Sequence, residues 1–197
     1  MKNDYEIWKK FRDGDKSALS DIYFQHYQSM FQYGMKFKDN PEFIKDCIQD
    51  IFFMLIKAGK NLGPTNNIRF YLLKALKNKM IKEIETIRKT GFIDAPVLEF
   101  DAHFSLEEEI LQKEKTTIRE KALVKALKQL SERQREVIYL RYECGLEYKQ
   151  LCEIMDLEYD SARKLVLRAI KSLKEIISSQ TNMPGLFLLQ FSKHDIY

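Results

Sequence analysis

Glycine and proline are scarce in this 197-residue chain, which has seven glycines and four prolines. A turn-rich β fold uses these residues at its many chain reversals, so their scarcity favours helices. Pro41, Pro64, Pro96 and Pro184 each stand where a helical hydrophobic pattern stops, and therefore separate helices rather than interrupt them. We predict an all-α protein.

Cysteine and histidine are equally sparse. Cys47, Cys144 and Cys152 lie within helical patterns and form no CxxC pair, which argues against disulfides and zinc and indicates a reducing cytoplasm. The three histidines are scattered, so no metal site is predicted. The chain also has no glycine-rich phosphate loop and no triad pattern. We therefore predict no cofactor, no small-molecule substrate and no enzymatic activity.

Long apolar runs are also missing. The apolar stretch at residues 185–191 is far too short to cross a bilayer, and the charged, amphipathic amino terminus is unlike a signal peptide. The net charge of +4 permits a polyanionic partner without requiring one. Its distribution is more informative, because an acidic segment from Asp94 to Glu109 without lysine or arginine separates two basic halves.

The amino-terminal half has the hydrophobic period of four helices. We predict them at residues 4–11, from Ser17, from Pro41 and at 68–89, with an Asn/Gly/Pro loop at residues 61–67. The second helix is predicted to bury Ala18, Leu19, Ile22, Tyr23, Tyr27, Met30 and Phe31. The third is predicted to bury Ile44, Cys47, Ile48, Ile51, Phe52 and Leu55.

The carboxy-terminal half ends in three helices between residues 126 and 174, of which the last two form a predicted helix-turn-helix. Gly145 ends the first, and Asp156 lies in the turn, where it tolerates the left-handed conformation better than most residues. The last helix starts near Asp160 and has one apolar and one basic face. A basic face alone is common on solvated helices. Together with the spacing of the three helices, it favours DNA binding.

Two blocks of motifs resemble the extracytoplasmic-function (ECF) group of the sigma-70 family. The amino-terminal block is similar to sigma region two: Gly14-Asp15-x-x-Ala18-Leu19-x-x-Ile22-Tyr23-x-x-x-Tyr27, Asp46-x-x-Gln49-Asp50-Ile51-Phe52, and then Leu72 and Asn78. The carboxy-terminal block is similar to region four: Leu127-x-x-Leu130-Ser131-x-x-x-Arg135-x-Val137-x-x-Leu140-Arg141-Tyr142, Gly145-Leu146-x-Tyr148, and Arg168-Ala169. The resemblance extends over roughly residues 8–175.

The chain departs from the family pattern at four positions. Ser131 stands where proline is usual, and Lys82 stands where aspartate is frequent. Cys152 and Asp156 replace alanine and glycine.

The resemblance implies a dissociable subunit of bacterial RNA polymerase that selects promoters and starts transcription. Its expected domains are a region-two bundle at residues 1–90, a flexible acidic linker at 91–112, a region-four helix-turn-helix at 113–180, and an apolar tail at 181–197 without an assigned role. Its expected partners are core RNA polymerase and promoter DNA. Whether an anti-sigma factor also exists stays open.

Three groups of residues are the expected contacts. The duplex −35 element is assigned to Tyr159, Asp160, Ser161, Arg163, Lys164, Leu167, Arg168 and Lys171, with base edges read near the start of the helix and phosphates bound further along. The single-stranded −10 element is assigned to Asn61, Asn66, Asn67, Lys74, Lys77 and Asn78. Polymerase is assigned to Asp46, Gln49, Asp50 and Phe53.

Alternatives remain at this stage. A free-standing helix-turn-helix regulator would explain the carboxy-terminal half but not the block from Gly14 to Asn78. The loop at 61–67 could be an ordinary turn, and Phe53 could be buried beside Trp8 under the first helix. The acidic linker could mimic nucleic acid in a basic channel of polymerase or act only as a solvated tether.

Overall fold

The computed structural model describes residues 4–89, residue 100 and residues 118–180. These residues form helices and no strand, which confirms the all-α prediction. The chain divides into two compact units, residues 1–100 with 149–156 and residues 101–148 with 157–197. The predicted linker at 91–112, except Phe100, and the predicted tail at 181–197 lie outside the described residues. No described helix is long and apolar enough to cross a membrane.

The first unit contains five helices and a short 3₁₀ turn, Gly59–Asn61. The helices are α1 (Asp4–Arg12), α2 (Lys16–Met35), α3 (Pro41–Ala58), α4 (Ile68–Lys89) and α7 (Tyr148–Met155). Helices α2, α3 and α4 pack on one another, and α1 packs on α2. Helix α3 buries the six residues that its period predicts, Ile44, Cys47, Ile48, Ile51, Phe52 and Leu55.

Helix starts in this unit follow their capping residues. Asp15 accepts hydrogen bonds from the backbone N–H groups of Ser17 and Ala18, so it begins α2. Asn40 accepts from Phe43 N at 3.0 Å, and Pro41 follows as the first residue of α3.

The predicted buried stripe of α2 is partly wrong. Tyr23 is 36% exposed, whereas His26 and Tyr33, absent from the prediction, are buried. Aromatic residues count as apolar in a periodicity argument, but their rings can also cover an edge of the core. Tyr23 does so here, with its ring 5.2 Å from that of Tyr27 and 5.0 Å from that of Phe52.

His26 makes the stability of this unit dependent on pH. Neither ring nitrogen has a hydrogen-bond partner among the described residues. Desolvation lowers the pKa of the imidazole below its ordinary value of 6.5, the nearby Asp4 carboxylate opposes that shift, and the Arg69 guanidinium adds to it. The folded chain thus binds the proton less tightly than the unfolded chain. The His26 contribution to stability is complete above pH 6.5 and is lost as the pH falls below it.

We expect His26→Leu to remove this loss, because leucine fills a similar volume and cannot be protonated. Urea unfolding about one pH unit above and below the unfolded pKa measures the effect. The wild type should lose more free energy of unfolding than the variant on acidification. Equal losses in the two proteins would contradict the prediction.

The second unit contains α5 (Ile118–Gln129), α6 (Glu132–Ile138) with a π turn over Tyr139–Glu143, and α8 (Tyr159–Gln180). Helices α5 and α6 both pack against α8. Helix α8 buries Ala162, Val166, Ala169, Leu173 and Ile177 at intervals of three and four residues. The two predicted left-handed positions are confirmed, with φ of 69° at Gly145, after the π turn, and 52° at Asp156, after α7.

Ser131 shows why proline is dispensable at this position. Its hydroxyl accepts from Gln134 N while the Gln134 side chain accepts from Ser131 N, which together form a capping box. Arg135 Nη1 donates to Leu130 O at 2.7 Å, so the chain between α5 and α6 is held from both sides. The cap explains how α6 starts without the usual proline.

Ser131→Ala should lower the free energy of unfolding by about 1 kcal/mol, because it removes the acceptor for Gln134 N. Ser131→Thr keeps a hydroxyl and should cost much less. Chemical unfolding of both variants checks the difference. Equal losses would show that the cap contributes nothing beyond the shape of the side chain.

Candidate nucleic-acid and partner interfaces

The exposed side of α8 contains all eight residues predicted for duplex DNA. Tyr159, Asp160, Ser161, Arg163, Lys164, Leu167, Arg168 and Lys171 are all exposed. Because the opposite side of the helix is buried in the second unit, these side chains share the accessible side. Lys171 is 3.8 Å from Glu175, a contact between two well-exposed groups that leaves the lysine available to an anion.

The start of α8 is supported by a small aromatic cluster. The Tyr148 ring lies 5.8 Å from that of Tyr159, and the Arg141 guanidinium lies 5.1 Å above the Tyr148 ring. Arg141 Nη1 also donates to Leu146 O at 2.9 Å. These contacts orient Tyr159, which is still 51% exposed, at the first position of the helix.

A cleft of about 600 Å³ lies beside the first turns of α8. Its walls include Arg133 and Arg135 of α6 together with Ser161 and Arg168 of α8. Sequence reasoning assigned contacts with duplex DNA to α8 alone and did not include the exposed Arg133. Only the packing of α6 against α8 brings Arg133 close to the predicted residues, since 35 positions separate it from Arg168.

The loop between α3 and α4 presents some of its amides and uses another internally. Asn61 and Asn66 are exposed. Asn67 Oδ1 accepts from Phe70 N at 2.8 Å and so caps α4, which commits this oxygen to the helix rather than to a base. Thr65 Oγ1 accepts from Asn67 N and donates to Asn67 O, both at 3.2 Å. Of the three predicted asparagines, Asn61 and Asn66 thus keep their amides available.

The predicted residues of α4 differ in their surroundings. Asn78 is exposed. Lys77 Nζ lies 5.6 Å from the centre of the Phe37 ring. Lys74 Nζ is 2.7 Å from Glu153 Oε2 of α7 in the same unit, so a phosphate at Lys74 would compete with that carboxylate.

Helix α3 presents Asp46, Gln49, Asp50 and Phe53 to solvent. Phe53 is 66% exposed, which rules out its burial beside Trp8. Trp8 instead packs between Phe11 and Tyr71, at ring distances of 5.5 and 4.9 Å. A groove of about 500 Å³ runs beside Phe53 and Gln49. Its other lining residues are Tyr23, Tyr27, Lys45, Ile48, Phe52 and Ile56. An exposed aromatic ring beside a groove and two carboxylates is a common anchor for a protein partner.

Lys79 of α4 holds one carboxylate of this face, a contact that sequence reasoning missed. Its Nζ lies 2.6 Å from Asp50 Oδ2 and 2.7 Å from Glu83 Oε1. These hydrogen bonds, with Asp50 first and Glu83 second, raise the pKa of Lys79. The ammonium therefore stays charged and restrains the orientation of Asp50.

Comparisons with known proteins identify one matching family and one relative by sequence. Residues 120–173 match the family described as sigma-70, region 4. The RNA polymerase sigma factor SigZ of Bacillus subtilis (strain 168) is 29% identical over 160 residues, which cover 81% of this chain and 86% of SigZ.

Two solved structures are similar in fold. CnrH, in complex with the cytosolic domain of CnrY, has a TM-score of 0.59 at 18% identity, over 90% of this chain and 99% of that chain. The sigma factor RpoE from Bartonella quintana, in complex with the anti-sigma factor NepR, has a TM-score of 0.54 at 17% identity, over 82% of this chain and 98% of that chain.

The helix-turn-helix region at residues 120–173 is a sigma-70 region 4 domain, and sigma factors are regulatory proteins. This domain, together with the similarity to SigZ over most of the chain, shows an RNA polymerase sigma factor. The relatives align with most of the chain, including the amino-terminal block that a free-standing regulator would leave unexplained.

Proposed function

We propose that the two units divide promoter recognition between them. The second unit reads the −35 element as duplex through α8, and the first unit binds core polymerase and the −10 element as single strand. The observation that carries the proposal is the separate exposure of three sets of polar residues, on α8, on α3 and in the loop before α4.

In the duplex complex, the first turns of α8 enter the major groove. Arg163 and Lys164 reach base edges there, because a recognition helix contacts bases chiefly with its amino-terminal residues. Arg168 and Lys171 lie one to two turns further and bind phosphates, which set the position without specifying sequence. Arg133 adds a further cation from α6 beside the same helix.

In the open promoter, an unstacked base is recognised by the loop at residues 61–67. Asn61 and Asn66 supply amide groups that can pair with a base edge, and both are exposed. Lys74, Lys77 and Asn78 of α4 follow the backbone of the same strand, since single-strand binding combines basic grooves with base contacts.

The exposed face of α3 docks on core polymerase. Phe53 provides the apolar anchor, Gln49 and Asp46 provide polar contacts, and Asp50 is presented by Lys79. Polymerase works in the cytoplasm, which is therefore where we place this chain. Its role there is regulatory rather than enzymatic.

An anti-sigma factor is the expected regulator. The two similar solved structures contain CnrH with a domain of CnrY and RpoE with NepR, which is named as an anti-sigma factor. A corresponding partner of this chain would inhibit transcription by covering the α3 face or α8.

Transcription with core RNA polymerase on a randomised promoter library tests the function as a whole. The full-length chain should direct initiation at promoters that share two sequence elements, one upstream and one at the melted region. Core polymerase alone provides the background. Binding of the chain to duplex DNA without any polymerase-dependent transcripts would instead indicate a free-standing regulator.

A further inference from the structure

The loop at residues 61–67 is attached to α1 at two points. Trp8 Nε1 donates a hydrogen bond of 2.8 Å to Gly63 O. Asp4 Oδ2 accepts a hydrogen bond of 2.9 Å from Ile68 N, at the start of α4. One short helix therefore holds the loop near its middle and at its exit, across separations of 55 and 64 residues.

The Trp8 contact is rigid. The side chain is 1% exposed and lies between the rings of Phe11 and Tyr71. An indole N–H can only donate, and burial without an acceptor would be costly, so packing and hydrogen bonding both hold Gly63 O in place.

The Asp4 contact lies where the loop ends and α4 begins. Its carboxylate satisfies an amide at the amino terminus of α4, where a negative charge is also favoured by the helix dipole. Asn67 caps Phe70 N in the same turn. The Thr65 hydroxyl forms hydrogen bonds with both the backbone N–H and the backbone C=O of Asn67. The backbone on both sides of Asn66 is thereby fixed, while its side chain is exposed.

We propose that Asp4 and Trp8 are positioning residues for promoter recognition, and that α1 clamps the loop in its base-reading conformation. This rests on the proposed reading of the −10 element by that loop. A loop that is already ordered loses less conformational entropy on binding and holds its amides in one geometry, so it discriminates between bases more sharply.

Base discrimination measured together with polymerase affinity separates a positioning role from a purely structural one. The α3 face does not involve either clamp residue. Loss of the clamp should therefore reduce base preference at one promoter position while the affinity for core polymerase stays the same. Destabilisation of the whole unit would lower both together.

The experiment uses holoenzyme assembled from core polymerase and the full-length chain, with promoters randomised across the −10 element. Trp8→Phe keeps an aromatic ring but removes the donor, and Asp4→Ala removes the acceptor. Asp4→Asn keeps an amide oxygen that can accept from Ile68 N. Glu6→Ala is the matched control, because it removes an exposed acid from α1. Asn66→Ala and Asn61→Ala report on base reading itself.

Trp8→Phe and Asp4→Ala should each lower discrimination about fivefold, at the promoter position that Asn66→Ala or Asn61→Ala affects. Asp4→Asn should retain most of it, and Glu6→Ala all of it. An asparagine variant could change the base preference while Trp8→Phe and Asp4→Ala do not. That result would overturn the proposal that α1 holds the loop, but not the proposal that the loop reads a base. If neither asparagine variant has an effect, loop reading fails and the clamp fails with it. If Trp8→Phe does not fold, the comparison of Asp4→Ala with Asp4→Asn tests the proposal.

Discussion

Replacing Asp50 and Phe53 together with alanine should weaken binding to core polymerase by about 30-fold or more, the effect of losing one interface hot spot of about 2 kcal/mol. Phe53, at 66%, is the most exposed apolar side chain that lines the α3 groove. Asp50 is held by Lys79 at 2.6 Å and is presented from the same face. Binding of labelled chain to core polymerase measures the change.

The fold should survive this double substitution. Both side chains are exposed, and Lys79 keeps its second partner, Glu83. Met54→Ala with Glu85→Ala is a matched control, because it removes an exposed apolar group from α3 and an exposed acid from α4. Unchanged polymerase affinity and an unchanged melting temperature in the Asp50/Phe53 variant would show that this face of α3 does not bind polymerase.

Substitution of Arg163 or Lys164 should change which −35 sequences the holoenzyme prefers. Loss of one specific base contact costs about 1–3 kcal/mol and relaxes preference at that position. Both side chains are exposed near the start of α8, within the helix segment expected to face base edges. Selection from a library randomised at the −35 element, with Arg163→Ala and Lys164→Ala, measures the effect.

Lys171→Ala should behave differently, with weaker binding to all sequences and a shallower salt dependence, because a phosphate contact carries no sequence information. Lys174→Ala, further along the same helix, tests whether the effect fades with distance from the groove. If Lys171→Ala reshapes the preference while the Arg163 and Lys164 variants leave it intact, α8 enters the groove in another orientation than proposed.

Local patterns were sufficient for the helices and for the sides that most of them bury. The period of α3 identifies its six buried residues and leaves Asp46, Gln49, Asp50 and Phe53 on the outside. Gly145 and Asp156 were recognisable as left-handed positions from residue type alone. In these cases the conformation depends on interactions within a few residues along the chain, which hydrophobic periodicity and backbone preference describe.

The long-range pairs needed the tertiary structure. Sequence reasoning treated Trp8 as a possible cover for Phe53, yet packing between Phe11 and Tyr71 directs its indole to Gly63. Likewise, the sequence does not distinguish Lys79 from the other lysines of α4. The packing of α3 against α4 places Asp50 Oδ2 2.6 Å from Lys79 Nζ. Such partners are far apart in the chain, and any of several acids or carbonyls would satisfy the same side chain.

The sequence by itself therefore determined the helical fold, the sigma-type motifs and the exposed, basic side of α8, because each depends on local spacing. Only the tertiary structure decided that α2 buries His26 rather than Tyr23, and that α1 supports the loop before α4. Hydrophobic burial is nondirectional and leaves such choices nearly equal in the unfolded chain. The packed interior removes that freedom, because few side chains fit each position and most buried donors, such as the Trp8 indole, need an acceptor.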